Sequence, residues 1–470
     1  MFLIPENVEP NKEALVDDCG NRISYSTLKA DAAYFQKTIR ERCLIIILAD
    51  KAVNTIRFYL SCMTARCVPL LLEPNLYPDY LKDYVSRYMP RYLWAPVSWE
   101  QTLRQWGEIV YRTAEHILVQ TAFLLYPLHP DLALLLTTSG STGSPKMVRL
   151  SRRNLEENAD AIVEAVSMRP EDRGVTTLPI NYTYGMAIVH MHMRVGGTVL
   201  VTDRKVIDPA FRSFLYREKI TNFQGVPYIH EMMDRLQFFR DPPETLRFVS
   251  MGGGKAPEAF QAKLNELFDR RGIRFYALYG QTEGTTILTK LPEGKRQNDP
   301  DCIGVACRGM EAFVDEETSE LIFRGSSVCM GFSEGREDLR RGDDNHGILH
   351  TGDLARMDEQ KCIYLKGRLK RIVKMAGKRI SMDDVEMLVR QAFPGVQCAC
   401  CGSDNHLGIF VTGQAPEQAI KYLLATRLRI SHLSLAVFCI PEIPHTERGK
   451  TDYVQLHQIR KIMESNLQEN

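Results

Sequence analysis

The chain is 470 residues long, with 59 Lys and Arg against 58 Asp and Glu and a formal net charge of +1. At about 150 residues per domain this length holds roughly three packed units, and the balanced charge gives no case for a nucleic-acid or polybasic membrane partner. Apolar residues make up 44% and charged residues 25%, which excludes a disordered or collagen-like chain.

Along the chain, Asn21-Arg-Ile-Ser-Tyr predicts a short strand, and Ser24 is placed to cap a helix running through Ala33. Residues 43–49 form an unbroken apolar run suited to a strand buried on both faces. A helix over 52–67 and a strand over 68–72 complete a strand–helix–strand unit, the signature of a mostly parallel sheet. Further strands are expected at 92–95, 133–136, 197–201, 222–226, 245–250 and 273–277. Helices are expected at 154–167, 209–217, 229–240 and 257–269. After about residue 300 short β segments, such as 320–324 and 361–365, stand between Gly, Asp and Asn and predict a small β-rich unit. Residues 371–470 read as a compact α+β domain with helices at 383–392 and 415–428 and strands near 396–401 and 435–440. The last residues, 465–470, are expected to fray.

The fold class expected is therefore α/β. A large multi-lobed N-terminal body with parallel sheets and a small β-rich unit would cover 1–367, and an α+β C-terminal domain would cover 371–470. The Gly-flanked basic segment at 368–370 is the linker. The twelve cysteines, including the cluster Cys398, Cys400 and Cys401, lack the second pair and histidines of a zinc site and read as buried free thiols. The N-terminal residues show no basic leader followed by an apolar run, and no stretch reaches the ~18 apolar residues of a membrane span. The expected compartment is the reducing cytosol.

The sharpest local signal is Leu136-Thr-Thr-Ser-Gly-Ser-Thr-Gly-Ser-Pro-Lys146. Directly after an apolar strand it brings together Thr138, Ser139, Gly140, Ser141, Thr142, Gly143 and Lys146. Glycines let backbone N–H groups turn toward an anion, hydroxyls add donors, and a lysine adds a mobile charge. This suits a loop over phosphates, although the spacing is not that of a Walker A motif. A second glycine cluster, Met251-Gly-Gly-Gly-Lys255, also follows a strand.

The loop resembles the signature segment of the adenylate-forming superfamily. That family contains acyl- and aryl-CoA synthetases, luciferases and the adenylation domains of nonribosomal peptide synthetases. Four more matches follow in the family's order: Tyr279-Gly-Gln-Thr-Glu-Gly, Thr351-Gly-Asp, Gly367-Arg-Leu-Lys and Thr446-Glu-Arg-Gly-Lys450. The resemblance implies that ATP is held by the 138–146 loop, Gly253, Gly254, Tyr279, Gly280 and Thr282. Tyr279 would cover the base, and Glu283 would hold Mg²⁺ through a carboxylate oxygen. It assigns the ribose hydroxyls to Asp353, whose single carboxylate can accept both, with Arg368 as a neighbouring donor. It makes Lys450 the cation that offsets charge on the acyl carboxylate and α-phosphate, and Lys370 the hinge of a mobile C-terminal domain. The catalytic set implied is Lys146, Thr282, Glu283 and Lys450.

The implied reaction has two halves. A carboxylate attacks the α-phosphorus of ATP, releasing pyrophosphate and leaving an acyl-adenylate. A thiol then takes the acyl group and AMP departs. Coenzyme A is the favoured thiol. The phosphopantetheine arm of a separate carrier protein, including loading of an amino acid, is the alternative, and a non-catalytic nucleotide-binding homologue is a minor one. Arg379 stands where plant aryl-CoA ligases carry glutamine and resembles peptide-synthetase domains, which leaves the acceptor open.

By the same resemblance Tyr182, Tyr184, Gly185, Met186 and Gly252 border the acyl pocket, with Tyr182 in the place of a histidine found in many acyl-CoA synthetases. Met186, Val189, His190 and Met193 share one face of a helix at i, i+3, i+4 and i+7. Such a face is equally an adaptable acyl wall or ordinary core. Between Asn181 and Val201 there is no aspartate to bind an α-ammonium. A fatty, hydroxy or aryl acid is therefore the expected small-molecule substrate.

Overall fold

The computed structural model describes residues 1–137, 146–292, 302–375, 378–413, 416–428, 430–446 and 451–468. The chain divides into two compact units: residues 1–312 with 323–349, and residues 313–322 with 350–470.

The first unit is built on two large sheets. One has eight strands in the order Phe332–Ser333, Met147–Ser151, Leu132–Thr137, Val68–Leu72, Leu44–Leu48, Tyr92–Pro96, His116–Thr121 and Gly107–Arg112. Its four central strands run parallel. Leu44–Leu48 and Val68–Leu72 are buried at every position, as unbroken apolar runs covered on both faces must be. The helix between them is Val53–Thr64, so the predicted strand–helix–strand unit is present. The helix after the first short strand is Tyr25–Thr38, with Ser24 as its N-cap accepting from the Thr27 N–H.

The second sheet has seven strands in the order Arg274–Leu278, Phe248–Gly252, Asn222–Gly225, Arg173–Val175, Thr198–Val201, Glu13–Asp17 and Arg22–Ser24. All but the last pair in parallel. Because side chains alternate along a strand and the register is in step, Asn222, Gln224, Phe248, Ser250 and Gly252 share one face. The helix Thr183–Val195 covers that face, with His192 and Tyr184 both bonded to it. On the helix, Met186, Val189 and Met193 enter a large core shared with Ile45, Ile47, Tyr59 and Val199.

In the second unit, Cys398–Ser403, His406–Thr412 and Leu435–Ile440 form a three-stranded sheet with cores on both faces. Met382–Ala392 and Glu417–Leu428 are its predicted helices. A terminal helix, Tyr453–Gln468, runs through residues expected to fray. All twelve cysteines are free, ten of them buried. Among the described residues no helix is long and apolar enough to cross a membrane. The α/β class, with parallel sheets in the large unit and a smaller α+β unit, is the architecture expected from sequence.

Candidate active site

The residues with the strongest chemical promise in the first unit collect at the carboxyl ends of parallel strands, where α/β sheets place ligands. Phe248–Gly252 ends in the glycine cluster, and Arg274–Leu278 leads directly into Tyr279 and Gly280. The N-terminal end of Thr183–Val195 lies over both. Tyr184 is buried, and its hydroxyl meets Ser250 Oγ at 2.8 Å. Burial pushes the Tyr184 phenol well above its ordinary pKa, so it stays a neutral hydroxyl. A Cβ on Gly252 would lie 3.4 Å from the Tyr184 ring and 3.1 Å from the Leu278 carbonyl.

Gly253 has a φ of +80°, a conformation L side chains rarely hold, and a Cβ there would run into the Tyr182 hydroxyl. A Cβ on Gly280 would collide with the Thr286 carbonyl. The Thr286 hydroxyl in turn reaches back to the Thr183 carbonyl at 3.3 Å. Tyr182, Tyr184, Gly252, Gly253 and Gly280, marked in three separate segments of sequence, are thus gathered around one point.

Other residues of the same set are placed differently. Gly185 is buried, and a side chain there would strike the Pro179 carbonyl. Met186 belongs to the core shared with the eight-stranded sheet, whereas Tyr182 and Tyr184 belong to the core of the seven-stranded sheet. The methionine face is therefore core. Its His190 bonds the Tyr59 hydroxyl at 2.8 Å, and burial lowers its pKa to about 3. Gly254 and Lys255 are exposed.

Tyr279 stacks near Phe323, ring centroids 6.2 Å apart at 23°. Thr282 and Glu283 lie in a one-turn 3₁₀ helix, Thr282–Gly284, fixed by a Cys329 N–H donated to the Glu283 carbonyl at 2.9 Å. Lys146, the last residue of the glycine-rich segment, is exposed and pairs with Glu334 at 2.8 Å. It borders a polar cavity of ≈ 430 Å³ that also touches Asp338, Arg341 and Asp344. Asp338, Arg341 and Asp344 are tied together by Arg149, whose guanidinium is fully buried. It donates to the carbonyls of Met330, Asp338 and Arg341 and to the Asp344 carboxylate. Thr138, Ser139, Gly140, Ser141, Thr142 and Gly143 lie outside the described residues.

In the second unit, Asp353 and Arg368 are cross-strand partners. Their side chains form an ion pair at 2.8 Å, with Asp353 buried and Arg368 exposed. The Asp353 N–H also donates to the Thr351 hydroxyl at 3.0 Å. The two residues expected to face one ribose therefore sit side by side. Lys370 lies in the one-turn helix Leu369–Arg371. Its neighbour Arg371 bonds both Asp383 and Glu386 at 2.5 Å and covers the Tyr453 ring at 4.2 Å. Burial raises the Glu386 pKa, against the lowering effect of Arg371. Lys450 lies outside the described residues. Among the described residues, His445 pairs with Thr451, and the Asp452 N–H donates to the Pro444 carbonyl at 2.8 Å.

Several polar residues beside the gathered segments were not marked from sequence. Ser250 and Gln224 neighbour each other across two strands. Both amide atoms of Asn181 and the Gln281 amide nitrogen are buried without a hydrogen-bond partner among the described residues. The available signal was the alternation Asn222-Phe-Gln224 within an expected strand of a mostly parallel sheet, since polar side chains buried there demand partners.

Comparison with known proteins gives the same direction. Medium-chain fatty-acid–CoA ligase of Escherichia coli K12 is 24% identical over 96% of this chain and 88% of its own length. Sulfoacetate–CoA ligase of Cupriavidus necator is 29% identical over 58% of this chain and 54% of its own. The crystal structure of ATP-bound MatB from Rhodopseudomonas palustris superimposes with a TM-score of 0.77 at 20% identity, covering 98% of both chains. The o-succinylbenzoate CoA synthetase of Bacillus subtilis, solved with its acyl-adenylate, gives 0.74 at 19% identity over 96% of both. The family profile for AMP-binding enzyme matches residues 5–332, and the chain belongs to that family.

Proposed function

We propose that this protein activates an organic carboxylic acid with ATP, forming an acyl-adenylate and releasing pyrophosphate, and then transfers the acyl group to a thiol, with coenzyme A as the favoured acceptor. The observation that carries the reading is the convergence of Tyr182 and Tyr184, Gly252 and Gly253, and Tyr279 and Gly280 at the carboxyl ends of adjacent parallel strands. The relatives named above, two of them CoA ligases, support the same class of reaction.

In this reading Tyr182, Tyr184 and the glycine-lined strand ends seat the acyl group. Tyr279 and the backbone at Gly253, Gly254 and Gly280 seat the adenine, while Asp353 and Arg368 serve the ribose. The 138–146 loop, Lys146 and Thr282 bind the phosphates, and Lys450 offsets charge on the reacting carboxylate and α-phosphate. We further assign the C-terminal domain to residues 371–470, moving about a hinge at 368–370. Twelve free cysteines suit a reducing cytosol.

Mg²⁺ is characteristically held by one or two carboxylates and completed by substrate phosphates and water, and Glu283 would be its protein ligand in this reading. When bound it would neutralise phosphate charge.

The test is isotope exchange between pyrophosphate and ATP across a broad panel of carboxylic acids. The responding acid is then offered CoA and candidate holo-carrier proteins. Acid-dependent exchange followed by acyl-CoA formation is expected. Exchange with carrier loading but no acyl-CoA would move the acceptor to a carrier protein, and no exchange with any acid would overturn the reading.

A further inference from the structure

The face of the seven-stranded sheet beneath Thr183–Val195 carries a line of hydrogen bonds with a fixed direction. His192 Nδ1 lies 2.6 Å from the Ile188 carbonyl. A carbonyl only accepts, so Nδ1 carries the proton. The ring is fully buried and burial lowers its pKa, so it remains neutral and Nε2 is bare. Nε2 therefore accepts from the Asn222 amide nitrogen, 3.2 Å away. That leaves Asn222 Oδ1 to accept from Gln224 Nε2 at 2.8 Å. Reversing either amide would set two acceptors, or two donors, against each other.

The line ends at Gln224 Oε1. This carbonyl is buried, on a residue with 0% exposure, and has no hydrogen-bond partner among the described residues. An acceptor left unpaired inside a protein is costly, and a partner is expected. Its position is informative. Gln224 pairs in register with Ser250, on the same sheet face, and Ser250 holds the Tyr184 hydroxyl. Gly252 lies two residues further along that strand, where a Cβ would lie 3.4 Å from the Tyr184 ring. The unpaired carbonyl thus adjoins the tyrosine-covered strand ends.

We propose that Gln224 Oε1 reads a neutral hydrogen-bond donor, a hydroxyl, carried on the acyl part of the acid. This rests on the function proposed above and narrows its substrate class to hydroxy acids, aliphatic or phenolic, rather than plain fatty or aryl acids. A hydroxyl fits because the line from His192 to Gln224 carries no charge. An ammonium would call for a carboxylate, and residues 181–201 contain neither Asp nor Glu. Gln224 Oε1 is on the same sheet face as Ser250, which holds the Tyr184 hydroxyl, and this places the acceptor on the acyl side of the proposed site.

The test uses pyrophosphate exchange with matched acids that differ by one hydroxyl, such as 3-hydroxyoctanoate and octanoate or 4-hydroxybenzoate and benzoate, and with whichever acid of a broad panel is best. The full-length wild type should prefer the hydroxylated member by about tenfold or more in kcat/KM, the discrimination one hydrogen bond provides. Gln224→Met keeps the side-chain length and removes the acceptor, together with the hydrogen bond donated to Asn222 Oδ1. It should abolish the preference, with a loss about tenfold greater for the hydroxy acid than for its deoxy partner. A best acid without any donor on its acyl part, equal use of both members by the wild type, or an equal loss with both in the variant would overturn the proposal. The wild-type comparison holds even if the variant does not fold. Failure of exchange with every acid would instead defeat the function proposed above.

Discussion

Replacing Gly253 with alanine perturbs the point where the tyrosines meet the strand ends. The residue holds a φ of +80°; an L side chain in left-handed backbone costs about 1–2 kcal/mol. The new methyl would also meet the Tyr182 hydroxyl and lie 3.3 Å from Val226 Cγ1, and overpacking of a filled core costs about 1–3 kcal/mol. The two contributions together predict a loss of about 2–5 kcal/mol. Only the second depends on Tyr182. Tyr182→Phe combined with Gly253→Ala should therefore recover about 1 kcal/mol or more relative to the sum of the single changes. Urea unfolding of the four proteins, read as midpoint shifts at constant slope, measures that coupling. Gly252→Ala is the control. Its methyl would meet atoms at 3.1 and 3.4 Å, so its loss should be smaller. A Gly253→Ala protein as stable as wild type, or zero coupling with Tyr182→Phe, would refute the placement of Tyr182 over the strand end.

Three further outcomes follow from named contacts. Arg149→Ala removes a fully buried guanidinium that serves three carbonyls and Asp344; it should cost about 2–4 kcal/mol in urea unfolding, and a loss below about 0.5 kcal/mol would contradict its structural role. His190 is held neutral, with its pKa lowered to about 3 by burial, against about 6.5 in the unfolded chain. The unfolded state binds more protons in that window, so the stability is complete above about pH 6.5 and is lost as pH falls toward 3. About 2 kcal/mol should go between pH 7 and pH 5, and His190→Gln should flatten that slope in pH-dependent urea unfolding. Arg371→Ala strips Glu386 of its buried cation and uncovers Tyr453; it should destabilise the second unit by about 2–4 kcal/mol, seen as faster hydrogen exchange in Met382–Ala392 than in the first unit.

Local chemistry was the part of the fold most readable in advance. The apolar runs at Leu44–Leu48 and Val68–Leu72 read as strands and are covered ones, and Ser24, placed to cap a helix, begins one. The hairpin Gly107–Arg112 and His116–Thr121 was not foreseen. Glu108, Val110 and Arg112 alternate exposed along its outer strand, and no strong turn pair joins the two strands, so its pattern is weak without its neighbours. The terminal helix continues through Ser465 to Gln468, mostly polar residues that read as a tail.

At the site, glycine clusters and the tyrosines were marked by motif, and their convergence follows from parallel strands ending together. Met186 went to the core because three turns of the same helix present Met186, Val189 and Met193 to the other sheet, a choice that periodicity alone leaves open. The His192–Asn222–Gln224 line was invisible because it joins a helix to a strand through partners 30 residues apart, and only the tertiary fold sets its direction.

The central claim is that an organic acid and ATP react at the α-phosphorus in this protein. Exchange of labelled pyrophosphate into ATP, with magnesium present and the acid varied, measures that step directly. The account predicts exchange that appears only with a suitable acid and is abolished by Lys450→Ala. Exchange independent of acid, its absence across the whole panel, or an undiminished signal in Lys450→Ala would contradict it.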